Sequence, residues 1–469
     1  MLPKRSIALA LSLLLLTATA ACGSRLSDEE RALAIAASGS GCASADGTDG
    51  SLDGAGEGQA AGDAPADGLA TGSTIVTSGG GRGGSTGAGG AVGGATCRPG
   101  SATGIGVTPT EINVGNVSQI TGLVPGFAQT SINGVKAYFN MINSQGGVCG
   151  RKLTLLTADD RFQSATNRAE TEKMAGQAIA LVGSLSVVDD GGAPIIDSEG
   201  IADISLATTA PRIAAKNNYT PNPIDPTPDA GNGLGGILSY FKSTDNISKP
   251  AIFYQDVATG ANQAESYKKD FERAGIPVVA TYPVAPTATN FNTQANDMKQ
   301  KGVDFVITVA EVNAMANLAK AFESVGYFPK VPFYGAQVYG QRFLQLAGKA
   351  AEGTKVGLIF AIPEDAANNP AVASLETWYA RTAPGADLDF FSVVSWLAAD
   401  MFVSALRAAG PDPTQAKIVA HMKTVTNYTG NGLVGGINPA QKKAPKCFNV
   451  IEVRNGKWVK TFPAKGFQC

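Results

Sequence analysis

The chain has 469 residues, 44% of them hydrophobic and 16% charged, with 37 Lys plus Arg against 39 Asp plus Glu and a single histidine, His421. That length suits two or three domains of about 100–200 residues. The formal net charge of −2 argues against the basic face of a nucleic-acid binder, and one histidine excludes any site built on a His pair or cluster.

Residues 1–21 place Lys4 and Arg5 before an apolar run and then small residues, as in a secretory signal peptide, and the run is too short for a stable membrane span. Thr19-Ala20-Ala21-Cys22 resembles a bacterial lipobox, which implies a diacylglyceryl group on Cys22 and attachment to the cell membrane. The alternative is plain cleavage after Ala18-Thr19-Ala20. Ser27 and Glu30 then fit a capping box before RALAIAA. Residues 38–96 hold 20 of the 57 glycines among Ala, Ser, Thr and Asp, with six acidic residues and one basic. Such a segment buries too little apolar surface to offset its ordering entropy and is expected to be a flexible tether, spanning roughly 40–45 Å on average. Without signal and tether, the body from Cys97 onward is close to neutral.

Strand-like and helix-like patterns alternate from residue 111. Strands are expected at 111–117, 152–157, 179–183 and 201–206, with helices at 131–144 and 165–178. After a linker rich in Pro and Asp (219–231) the pattern restarts, with strands at 251–254, 278–284, 303–309 and 331–334 and helices at 261–274, 292–300 and 314–325. This grammar predicts parallel sheets with helices on both faces. Helical patterns at 371–381, 390–409 and 415–425 bring no strands and are expected to return over the first lobe. CFNVIEVRNGKWVKTF reads as a hairpin about Asn455-Gly456.

INVGNVSQITG from Ile112, the helix ending in INSQGG, GRKLTLL with Asp159-Asp160, ALVGS, GIADISLATTAP, KGVDFVITV, FYGAQ and AAEGTKVG form an ordered series. Over roughly residues 107–459 this series resembles the type I periplasmic solute-binding proteins, the leucine/isoleucine/valine-binding components of ABC transporters. The resemblance implies an α/β fold of two doubly wound parallel-sheet lobes joined by a hinge, with 97–228 (completed by 364–429) as the first lobe and 229–363 (completed by 430–469) as the second. Residues 1–21 form the signal peptide and 22–96 the lipid-anchored tether. Crossing strands near 225–231, 362–364 and 430–436 would form the hinge, and a solute would be held between the lobes outside the carboxyl ends of the strands.

The same resemblance places ligand contacts at Phe127, an aromatic residue in the first loop, and at Ser184, Leu185 and Ser186, where family members hold a ligand carboxylate with backbone amides and a hydroxyl. Val187 occupies the aligned hydroxyl position, which weakens that contact or shifts it to Ser186. Thr208 and Thr209 match a second hydroxyl pair. In the second lobe Glu311 and Gln337 are the candidates; Gln337 stands where amino-acid binders carry a Glu for the ligand ammonium, and Glu311 would be a substitute or a solvated loop charge. Tyr339 and Gln255-Asp256 are weaker candidates. Each contact competes with a plainer role in core, cap or loop.

The other chemistry-bearing residues are thin. Asp159-Asp160 has the form of an acid/base pair but no histidine or second acidic cluster beside it, Ser184 and Ser186 lie in no nucleophile elbow, and His421 sits in a helical pattern. Beyond Cys22, five cysteines are open to oxidation in an exported protein. Cys97 with Cys149 and Cys447 with Cys469 is one pairing among several, with Cys42 left over. The expected function is that of an extracytoplasmic receptor, not an enzyme, monomeric and without cofactor, metal or nucleic acid. It would capture a small polar or amphipathic metabolite (amino-acid-like, amide or organic acid) for an ABC permease, from a lipid anchor on the cell membrane. A sensing module of the same fold and a cell-envelope hydrolase are the competing functions.

Overall fold

A computed structural model describes Cys97, Gly100 and residues 103–122, 126–223 and 233–469. The signal segment, Cys22, the tether and the proposed crossing at 225–231 lie outside the described residues.

The first sheet is assembled from β1 (Glu111–Ser118), α1 (Gln129–Ser144), β2 (Lys152–Asp159), α2 (Ser164–Ala175), β3 (Ala180–Val182), α3 (Ala193–Glu199), β4 (Ala202–Ile204) and the short α4 (Ala210–Ala214). Its four strands are parallel in the order β2-β1-β3-β4. β3 and β4 are buried at every residue, as expected for apolar runs covered on both faces.

The second sheet follows with α5 (Gly235–Asp245), β5 (Pro250–Gln255), α6 (Ala258–Arg273), β6 (Ala280–Val284), α7 (Asn292–Lys301), β7 (Phe305–Val309), α8 (Val312–Ser324), β8 (Val331–Tyr334), α9 (Gln341–Ala347) and β9 (Lys355–Leu358). Three helices come next, α10 (Pro370–Thr382), α11 (Phe390–Ala409) and α12 (Gln415–Met422), before the hairpin β10 (Asn449–Arg454) and β11 (Lys457–Phe462) completes the sheet. The order is β11-β10-β9-β8-β7-β5-β6. β6 carries Pro283 at the sheet's edge, where the missing N–H breaks no ladder.

The doubly wound parallel pattern holds from β5 to β9, while β10 runs antiparallel to both β9 and β11. The cause is local. Asn455 and Gly456 both have positive φ, 53° and 70°, the requirement of a two-residue hairpin turn, and such a turn joins only antiparallel strands.

The long helices return to the first sheet: α11 packs against α1, β3 and β4, and α10 packs against α1. By length and composition α11 would pass for a membrane span, yet 78% of its apolar window is buried. It is a core helix, started by Asp389, whose carboxylate accepts from the Ser392 N–H. Where α1 crosses it, Gly134 is required by space, since a Cβ there would lie 2.3 Å from the Ser392 carbonyl oxygen.

The structure joins Cys97 to Cys149 and Cys447 to Cys469. The chain crosses between the sheets at Phe360, which bridges Val434, and at Ala361, whose N–H donates to the Leu433 carbonyl at 2.8 Å.

Candidate functional site

The carboxyl ends of β1, β3 and β4 converge on a set of small polar residues. Asn116 and Ser118 are buried in β1; the Ser118 hydroxyl donates to Asn116 Oδ1 at 2.6 Å and accepts from the Leu185 N–H at 3.0 Å. The Ser184 hydroxyl accepts from the Val117 N–H, and the Ser184 N–H donates to Ser205 Oγ. Between strand and loop, Gly183 has φ +64°, and a Cβ there would meet Val135 at 2.3 Å. Ser184 and Leu185 are thus spent on holding three strand ends together.

The next turn is different. The Ser186 hydroxyl accepts from the Val188 N–H at 3.1 Å. Among the described residues, no acceptor takes the backbone N–H of Ser186 or of Val187. An N–H pair left open in this way suits an anion. Close by, Gln119, whose N–H donates to the Leu185 carbonyl at 2.9 Å, is buried with its Oε1 lacking a partner. A buried acceptor without a partner is costly, so this atom also asks for a donor.

Thr208 and Thr209 face Asp189. Both N–H groups and the Thr209 hydroxyl donate to its carboxylate, the hydroxyl at 2.5 Å, while the Thr208 hydroxyl donates to the Ser186 carbonyl at 2.6 Å. With their protons committed inward, the two hydroxyls offer lone pairs, not protons, to a ligand. Burial pushes the Asp189 carboxyl up to about 6 against the pull of Arg212 and these hydrogen bonds. Arg212 is itself buried and paired with Asp203 at 2.7 Å. Burial works against its charge, and Asp203 and Asp189 together outweigh it.

Phe127 is half-buried and meets Phe391 edge to face at 5.2 Å. Phe391 meets Phe390, and Phe390 meets Phe360 at the crossing between the sheets. An aromatic row therefore runs from the first loop across the start of α11. Next to Phe390, the half-buried Asp389 accepts from Thr130 Oγ1 at 2.8 Å, and desolvation lifts its carboxyl to about 6.

At the second sheet, Glu311 caps α8. Its carboxylate accepts from the N–H groups of Asn313 and Ala314 and from Asn313 Nδ2 at 2.7–2.8 Å. Its N–H donates to Gln255 Oε1. The capping bonds turn this carboxylate toward its own helix. Gln337 lies in a short 3-10 turn, with its side-chain amide donating to the Ala310 carbonyl at 2.9 Å. Tyr339 is 3% exposed and packed against Phe360 and Trp458, a core residue.

The structure thus brings the sequence candidates together as two groups, Ser184 to Ser186 with Thr208 and Thr209 at one sheet, and Glu311 with Gln337 at the other; no hydrogen bond among the described residues joins the groups. Phe127 adjoins neither through a hydrogen bond and belongs to the aromatic row. Sequence reasoning missed Gln119 and Asp189. The SVVDDGG run showed the acid without showing that two threonines would turn to it.

The remaining candidates have structural partners. Asp159 accepts from the N–H groups of Ile120, Thr121 and Arg161 and holds the loop after β1, while Asp160 is buried against Phe162 and Asn167. His421 is half-buried in α12, and burial lowers its pKa.

A family model described as periplasmic binding protein matches residues 111–457. The chain is 22% identical over 312 residues to a Leu/Ile/Val-binding protein homolog of Brucella melitensis, covering 66% of this chain and 82% of that one. Among solved structures it is similar to a fatty acid ABC transporter substrate-binding protein from Thermomonospora curvata, with TM-score 0.66, 21% identity and coverage of 78% and 94% of the two chains. It is also similar to an ABC transporter solute-binding protein from R. palustris in complex with benzoate, with TM-score 0.61, 17% identity and coverage of 76% and 96%.

Proposed function

The chain belongs to the periplasmic binding protein family, and on that premise we propose that it captures a small organic acid between two lobes and delivers it to an ABC importer. Solute binding outside the cytoplasm comes with the family; the ligand class, the lipid anchor on Cys22, the permease partner and the monomeric state are the proposal. So are the lobes at 97–228 with 364–429 and 229–363 with 430–469.

The observation that carries the ligand class is the open N–H pair of Ser186 and Val187 beyond β3, which accommodates a carboxylate. Leucine, fatty acids and benzoate, named for the similar proteins, all carry one. The other end of the ligand is offered acceptors, the lone pairs of Thr208 and Thr209. Glu311 is turned to its own helix and Gln337 carries no charge. An acid with a neutral donor, such as a hydroxyl or an amide, fits this set better than a zwitterion does.

The test is a thermal-shift screen of hydroxy acids, amide acids, aromatic acids, fatty acids and branched-chain amino acids, followed by calorimetry of each hit against its methyl ester. We expect esterification to weaken binding about tenfold or more, or 1.4 kcal/mol. An ester that binds as well as its acid, or a screen in which no acid binds, overturns the proposal.

A further inference from the structure

A cavity lies among the helices that pack on the first sheet. It has a volume of about 290 Å³ and is walled by α1, α10 and α11 and by the segment at Tyr428 to Leu433, with Tyr138, Met141, Trp396, Asp400 and Tyr428 among its lining residues. Tyr138 is about 14 Å along α1 from its start at Gln129, and Asp400 roughly 15 Å along α11 from Phe390, at 1.5 Å per residue. Tyr138 and Asp400 therefore lie two to three turns from the helix starts, while Leu433, also in the lining, adjoins the crossing between the sheets at Ala361.

Asp400 is the charged residue of the lining, which also holds Ser374 and Asn431. The Tyr138 hydroxyl donates to Asp400 Oδ1, and the Tyr428 hydroxyl donates to Asp400 Oδ2 at 2.5 Å. Burial and this carboxylate push both tyrosines above their ordinary pKa, so both remain proton donors. Each oxygen of Asp400 keeps a lone pair, and among the described residues no basic side chain forms an ion pair with it, although the Arg407 guanidinium on the same helix acts on Tyr138 through its charge. Three aromatic residues share the lining with aliphatic ones such as Met141, Leu397 and Leu433: Tyr138 and Trp396 meet edge to face at 4.8 Å, and Tyr428 is the third.

A negative charge among aromatic rings, in a cavity near the small end of the range for ligand pockets, is chemistry that recognises a cation through charge and ring faces. We propose that this cavity is a binding site for a small organic monocation, an alkylammonium, with Asp400 as its counter-ion and Tyr138, Trp396 and Tyr428 as its walls. A neutral molecule of the same shape would desolvate the carboxylate and leave it only the two tyrosine hydroxyls as partners.

The experiment uses the full chain and two probes, choline and its neutral carbon analogue 3,3-dimethylbutan-1-ol. Calorimetry is combined with the indole N–H signal of Trp396, assigned among the three tryptophans with Trp378→Phe and Trp458→Phe variants. Choline is expected to bind in the millimolar range and shift that signal, and the neutral analogue to bind about tenfold more weakly or not at all. Asp400→Asn keeps the shape and is expected to weaken choline about tenfold, whereas Thr209→Val leaves choline binding unchanged. Absence of choline binding, equal binding of the neutral analogue, or a loss caused by Thr209→Val and not by Asp400→Asn overturns the proposal. The wild-type comparison of the two probes decides the matter even where a variant fails to fold.

Discussion

Asp189 shows how one buried side chain governs both a site and its pH response. Its carboxyl titrates at about 6 in the folded chain against 3.8 as the ordinary value. A raised acid binds its proton more tightly when folded, so its contribution to stability grows as pH falls from about 6 toward 3.8 and is lost as pH rises through about 6. The gap of about two units is worth about 3 kcal/mol. Urea denaturation of wild type and Asp189→Asn across this window should show wild type gaining on the variant as pH falls, by up to that amount. A stability difference that stays flat with pH would refute the assignment. At this scale the sequence was partly legible: hydroxyls after short buried strands were visible at Ser186, Thr208 and Thr209. The direction of their protons was not, because it depends on Asp189 and the Ser186 carbonyl, contacts between the segments after β3 and β4 that no local pattern encodes.

Among elements, legibility followed length and local chemistry. The span expected for α11, 390–409, is the span observed, since a long apolar run with Asp before it and Gly after it carries its own boundaries. The final hairpin was equally plain from Asn455-Gly456. The four-residue β9 and seven-residue α9 are too short to show a period, and their pairing partners decide them. Gly134→Ala tests the packing of α1 on α11: although alanine favours helix by about 1 kcal/mol, the 2.3 Å approach to Ser392 forces the helices apart, and a net loss within about 1–3 kcal/mol is expected in chemical denaturation. The two disulfides close rings with separations of 52 and 22 residues. On the chain-entropy account they contribute about 4 and about 3 kcal/mol. Replacing Cys97 and Cys149 with serine should therefore cost more than replacing Cys447 and Cys469, as read from denaturation midpoints.

For the whole molecule, the alternation of strands and helices carried the two-lobe architecture, because each crossover helix must cover the sheet that its strands form. The mixed edge of the second sheet was less visible, since its last strands arrive after three helices that belong elsewhere. If an acid binds between the lobes by hinge closure, small-angle scattering should show a smaller radius of gyration with ligand than without, and an unchanged radius would count against closure.

The apolar interior also has a thermal consequence. Buried residues of the first sheet and its helices, such as Val182 and Leu397, and of the second, such as Val306 and Trp458, fall in one large cluster that includes Phe360 and Phe390, beside which each sheet keeps a smaller cluster of its own. Two lobes with separate interiors could melt separately. Here the loss of either lobe strips apolar cover from the other, so the body should absorb heat in one cooperative peak, with calorimetric and van't Hoff enthalpies in agreement.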